Sequence, residues 1–251
     1  MGLNIAIAGK GGTGKTSLSS LLIRYLLEGG KKPILAVDAD PNANLGETLG
    51  LKVEETVGDI CEEMLQNKDK LSPSMAKTDY LNLKIERALI ESPGVDLLTM
   101  GCPEGPGCYC YTNNLLRSII DRISSRYPYL IMDNEAGLEH LSRKTTRDVD
   151  LLLIVSDPTV RGLATVKRIH QIVTNLKITV GKQFLVLSRA GSEDSSKLSS
   201  PIKDVGMEFL GMIPEDELIH EYDREGKPLI ELPADSKAVK AVKDIVERLK
   251  I

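Results

Sequence analysis

Short apolar runs alternate along the chain with longer stretches in which apolar residues recur every three or four positions. Leu3 to Ala8 predicts a buried strand ending at a run of glycines. Leu18, Leu21, Leu22, Tyr25 and Leu26 follow at helical spacing, and Gly29-Gly30 stops that helix. Pro33 to Val37, Val95 to Met100, Tyr129 to Met132, Leu151 to Val155, Phe184 to Leu187 and Phe209 to Met212 read as further strands. Leu115, Leu116, Ile119, Ile120 and Ile123 mark a helix before the Tyr129 strand. Ala238, Val242, Ile245, Val246 and Leu249 share one face of a closing helix. A more polar stretch from about residue 54 to 91 reads as two inserted helices. No repeat, low-complexity tract or linker interrupts the alternation. It predicts a single α/β domain over residues 1–251, with a mostly parallel central sheet and helices on both faces.

Composition narrows the function. Hydrophobic residues make up 41% of the 251 and charged residues 27%, which excludes wholesale disorder. No run approaches the ~20 apolar residues of a membrane span, and no basic-then-apolar leader opens the sequence. A cytoplasmic protein away from membranes is expected. Thirty-two basic against 36 acidic residues give a net charge of -4, which argues against nucleic acid as a partner. Four cysteines without an export signal read as reduced thiols. With no Trp and two Phe, the core rests on Leu, Ile and Val.

The first strand and first helix are joined by Gly9-Lys10-Gly11-Gly12-Thr13-Gly14-Lys15-Thr16, a full match to G-x-x-x-x-G-K-[ST] in the context that motif requires. Gly11, Gly12, Thr13 and Gly14 supply backbone N–H groups for phosphate oxygens, and the helix start at Lys15, Thr16 and Ser17 adds its partial positive charge. Lys15 is placed to reach the β- and γ-phosphates and the Thr16 hydroxyl to ligate Mg2+. A P-loop NTPase follows, with ATP and Mg2+ as expected ligands. Asp38 and Asp40, after the second strand, and Asp133, after a later one, lie where an open α/β sheet binds ligands. On their own, Asp38 and Asp40 read more often as turn formers before Pro41, and the phosphate loop beside them reverses that reading.

The second lysine of the loop, Lys10, together with Asp38-Ala39-Asp40-Pro41-Asn42 and Asp133-Asn134-Glu135-Ala136-Gly137, resembles the deviant phosphate-loop ATPases of the MinD and nitrogenase-iron-protein family. The resemblance implies a homodimer in which Lys10 crosses to the phosphates bound by the partner. Asp40 would orient the attacking water, and Asp38 and Asp133 would support magnesium. It also implies base contacts from Pro214 and Glu215 and from Ser188 and Arg189. The family usually places an asparagine where this chain has Ser188.

Gly105-Pro106-Gly107-Cys108-Tyr109-Cys110 reads as a loop, part of a segment at about 101–111, with Thr112 or Asn113 capping the helix that follows. By spacing alone, the two cysteines are either metal ligands or inert, half-buried thiols. One pair gives two thiolates where a closed tetrahedral site needs four, and a two-fold dimer supplies the rest. Residues 104–114 and 132–143 resemble the CooC branch, and within it the AcsF-like proteins. These are nickel-insertion ATPases for carbon monoxide dehydrogenase and acetyl-CoA synthase. The resemblance implies that Cys108 and Cys110 of two subunits hold one Ni2+ or Zn2+, with one of those apo-enzymes as client. Cys102 is a further candidate thiol and His140 a candidate switch residue. Cys61 reads as a small core residue, and His170 and His220 carry no ligand signal.

Two other classes stay open: a MinD-like membrane or partitioning ATPase, and an iron–sulfur electron-transfer ATPase like the nitrogenase iron protein. The first needs an amphipathic membrane helix, whereas the closing helix lacks aromatic anchors. The second uses two cysteines far apart in sequence, unlike Cys108 and Cys110.

Overall fold

The computed structural model describes residues 2–66, 84, 87–101, 108–136, 149–175, 180–191 and 198–251. In chain order the elements are β1 (Leu3–Gly9), α1 (Lys15–Glu28), β2 (Ile34–Ala39), α2 (Leu45–Leu49), α3 (Val57–Gln66), β3 (Leu89–Ile90) and β4 (Val95–Thr99). Then come α4 (Cys108–Ile123), β5 (Tyr129–Asn134), β6 (Val149–Ser156), α5 (Val160–Asn175) and β7 (Val180–Ala190). The chain closes with α6 (Ser199–Val205), β8 (Glu208–Pro214), α7 (Glu217–Glu225) and α8 (Lys237–Leu249). The strands form one sheet in the order β3-β4-β2-β5-β1-β6-β7-β8. Every pairing is parallel except β3 on β4 at the edge. The expected α/β class, mostly parallel with helices on both faces, is the one observed.

Alternation along the strands feeds two cores. Ile5, Ile7, Ala36, Ile131, Leu153 and Val186 pack with residues of α1, α2 and α8 on one face. Ala6, Ala8, Val37, Met132, Ile154 and Leu187 pack with residues of α3 to α6 on the other. Strands covered on both sides are apolar at nearly every position, which is why continuous runs marked them in the sequence.

Two boundaries differ from expectation. Helix α3 is the first of the two inserted helices, and Cys61 is buried in its core face. The stretch expected for the second helix falls mostly outside the described residues and ends in strand β3. Two residues carry no period, so β3 left no sequence signal. Helix α4 begins at Cys108 rather than after Tyr111, which corrects the expected loop. Helix α8 buries Ala238, Val242, Ile245 and Val246 against the rest of the domain. No helix among the described residues is long and apolar enough to cross a membrane.

Candidate active site

Strand β1 ends at Gly9 with φ 152°, where a Cβ would come within 2.2 Å of the Val155 carbonyl of β6. Only glycine lets the chain turn away there. Gly12 and Gly14 then adopt left-handed backbone, and α1 starts at Lys15. The loop is tied by its own carbonyls. Lys10 O accepts from Thr13 Oγ1 at 2.8 Å and from Lys15 Nζ at 3.5 Å, and Thr13 O accepts from Ser188 Oγ. The N–H groups of Gly12, Gly14, Lys15 and Thr16 meet no acceptor among the described residues. Free donors on a concave loop at a helix start are a phosphate site. The two lysines part company: Lys15 is buried at 6% exposure, whereas Lys10 is exposed beside Gly11.

Register brings the carboxylates in. Asp38 of β2 is paired with Asp133 of β5, both at the ends of their strands and both fully buried. Asp133 Oδ2 accepts from Thr16 Oγ1 at 2.6 Å, while Oδ1 is buried without a partner among the described residues. Burial pushes the Asp133 pKa up to about 6, against the Thr16 hydrogen bond and the Lys15 charge. Burial likewise raises Asp38 to about 7, with the Asp133 charge adding to it and the Leu45 N–H opposing it. A buried carboxylate with an unpaired oxygen, next to a hydroxyl and beside a phosphate loop, fits a divalent cation such as Mg2+. Asp38 is placed differently. Its two oxygens accept from Asp40 N at 3.1 Å and Leu45 N at 2.8 Å, so it shapes the loop that carries Asp40. Asp40 Oδ1 accepts from Asn42 N and Nδ2 at 2.9 and 2.8 Å.

Beyond Gly14 and Ser17, a cleft of about 550 Å³, open to solvent, runs between α1 and α7. Leu18, Leu21, Ile213 and Ile219 make its walls apolar, and Ser188, Arg189, Pro214 and Glu215 line it as well. The residues expected at the base are thus brought together with the phosphate loop. Arg189 is exposed and left-handed at φ 53°, at a register shift of β7 on β8 between Ser188 and Ala190. Such a bulge re-aims a side chain. Pro214 is the last residue of β8, and Asp216, rather than Pro214, starts α7 as its N-cap, accepting from Leu218 N.

Sequence reasoning missed part of this cleft. His220 and Asp223 line it from α7, with His220 Nε2 at 3.5 Å from Glu215 Oε1. Their signal in the sequence is only their position after Pro214. Asn134 Nδ2 donates to Ile7 O at 2.9 Å, joining β5 to β1. His170 pairs with Gln183 Oε1 at 3.0 Å, away from the loop.

Cys108 and Cys110 lie in the first turn of α4. That helix follows β4, so it starts from the sheet edge that carries the phosphate loop. Cys102 and His140 lie outside the described residues. Among the described residues, no cluster of three or more His, Cys, Asp or Glu side chains forms a metal site.

Residues 5–229 match the family model described as the CobQ/CobB/MinD/ParA nucleotide binding domain. An uncharacterised ATP-binding protein of Methanocaldococcus jannaschii is 44% identical over 98% of this chain and 97% of its own. The carbon monoxide dehydrogenase accessory protein CooC of Rhodospirillum rubrum is 31% identical over 89% of this chain and 88% of its own. Among solved structures, the septum site-determining protein MinD of Pyrococcus horikoshii, complexed with Mg-ADP, superposes with a TM-score of 0.73 at 24% identity. It covers 99% of this chain and 96% of that one. With a family model matching nine-tenths of its length and a phosphate loop built as that family requires, the chain belongs to the CobQ/CobB/MinD/ParA nucleotide-binding family.

Proposed function

We propose that this ATPase is a metallochaperone that uses ATP to control a homodimer carrying Ni2+ to apo acetyl-CoA synthase or apo carbon monoxide dehydrogenase. The observation that carries the reading is the Cys108-x-Cys110 pair at the start of α4, in a chain 31% identical to CooC.

In this reading the β- and γ-phosphates lie on the free N–H groups of Gly12, Gly14, Lys15 and Thr16, with Lys15 Nζ neutralising their charge. Thr16 and Asp133 would hold Mg2+, which supplies charge compensation on the phosphate oxygens. Asp40, at the head of an exposed loop braced by Asp38, orients the attacking water. Arg189, Pro214 and Glu215 surround the base, with Ser188 in the lining of the same cleft. Exposed Lys10 reaches the phosphates bound by the partner subunit, so the closed dimer is the hydrolysing form. Nickel is cargo, held by Cys108 and Cys110 of both chains and released when hydrolysis opens the dimer.

The MinD-like fold also supports a membrane or partitioning ATPase. Against it, Ala238, Val242, Ile245 and Val246 of α8 are buried at 0–2% exposure in this fold and are not offered to a bilayer. Incubating the protein, nickel and ATP separately with each apo-enzyme tests the proposal. Activation of one enzyme, dependent on both ATP and the two cysteines, is expected. Activation of neither would remove the metallochaperone reading.

A further inference from the structure

We infer that Ser188 is a positioning residue for the phosphate loop rather than a hydrogen-bond donor to the nucleotide base. The inference rests on the reading of this cleft as a nucleotide site. Ser188 stands at the end of β7, 5% exposed, and its side chain faces Gly14 across the cleft floor. A hydroxyl has one proton to donate. Here the donor is directed at Thr13 O at 2.5 Å, with Ser156 O a longer second acceptor at 3.3 Å. The contact joins positions 175 residues apart, so it belongs to the tertiary fold and not to a local turn.

The consequence follows from peptide geometry. In a planar trans peptide the C=O of one residue and the N–H of the next point in opposite directions. Holding Thr13 O against β7 therefore aims the Gly14 N–H away from the sheet and into the phosphate loop. Lys10 O, fixed by Thr13 Oγ1 and Lys15 Nζ, orients the Gly11 N–H in the same manner. Gly14 has a left-handed φ of 81° and no side chain, and among the described residues no acceptor meets its N–H to hold that peptide plane. Left to itself it would rotate, and the donor would be ordered only when a phosphate arrived. A base contact from the same hydroxyl proton would require releasing Thr13. Acceptor atoms of the base are thus left to Arg189 and to residues 213–215, and the loop contact of Ser188 acts on every triphosphate alike.

Calorimetric titration with three probes separates the roles: Mg-ATP, Mg-tripolyphosphate and adenosine. For Ser188→Ala, Mg-ATP and Mg-tripolyphosphate affinities should fall by the same factor, roughly three- to tenfold for one lost hydrogen bond. Adenosine affinity and the ratio of ATP to GTP affinity should not change. Ser188→Thr, which keeps the hydroxyl, should recover most of the loss. Weakened adenosine binding with intact tripolyphosphate binding would overturn the inference in favour of base reading. Unchanged affinity for all three probes would overturn it as well. A wild-type chain that binds neither ATP nor tripolyphosphate would overturn the nucleotide reading and this inference with it.

Discussion

At the scale of single residues, the site separates side chains of the same type by burial. Lys15 is enclosed and Lys10 exposed, although both belong to one eight-residue loop. Lys15→Ala removes the cation inside the loop, and Mg-ATP affinity should fall by about a hundredfold, read by titration. Asp133 carries a testable pH signature. Its pKa is 3.8 unfolded and about 6 folded, so the native state holds the proton longer. That contribution to stability is fully present below the unfolded value and is lost as pH rises through about 6. The metal-free protein should therefore weaken across this window, and Asp38, raised to about 7, extends the trend. Asp133→Asn abolishes the ionisation. Without metal it should be more stable than wild type by about 1–3 kcal/mol near pH 8, with the gap closing towards pH 4. It should also lose the stabilisation that Mg-ATP gives the wild-type chain. Chemical denaturation at the two pH values, with and without Mg-ATP, checks both halves.

At the scale of elements, one carboxylate ties together two helices beside the cleft. Asp216 caps α7 through Leu218 N at 3.1 Å, and accepts from Ser236 Oγ at 2.7 Å and Ala238 N at 3.0 Å at the start of α8. Burial raises its pKa, but the bonds from Ala238, Ser236 and Leu218 outweigh it and hold the group below the usual carboxylate range. Its support is thus present at neutral pH and lost as pH falls through the folded value. Asp216→Ala should cost about 3 kcal/mol in denaturant unfolding, because hydrogen bonds to a charged group are lost at two helix starts. Adenosine should bind more weakly, since α7 carries one wall of the cleft. In sequence, nothing marks the bond from Ser236 to Asp216, because it depends on α7 returning beside α8. The same contrast runs through the fold. The phosphate loop is legible because Gly9 to Thr16 encode it locally. The Arg189 bulge is not, because it arises from the mismatch between β7 and β8. Cys108 reads as loop because Gly105-Pro106-Gly107 precede it in sequence, whereas α4 already includes it.

At the scale of the whole molecule, one edge of the sheet gathers everything the proposal needs. The phosphate loop follows β1, the Asp40 loop follows β2, α4 with its two cysteines follows β4, and Asp133 ends β5. Parallel pairing puts all four strand ends on one side, which is why motifs far apart in sequence share a site. A second copy meeting that edge would bring Lys10 to the partner's phosphates and pair the cysteines in the same event. Lys10→Ala should then bind Mg-ATP with near-wild-type affinity yet turn over at least tenfold more slowly, since its contact exists only in the closed dimer. Normal turnover by this variant as a monomer would separate hydrolysis from dimerisation. The metal follows the same geometry: two thiolates per chain make four only in the pair, so metal binding should favour the dimer without nucleotide. Equilibrium sedimentation with nickel or zinc, paired with elemental analysis, tests this most directly. The account predicts metal-promoted dimers holding one ion per two chains, and their loss when Cys108 and Cys110 are both replaced by serine. One ion per monomer, or dimers that keep full metal content in the double serine variant, would contradict it.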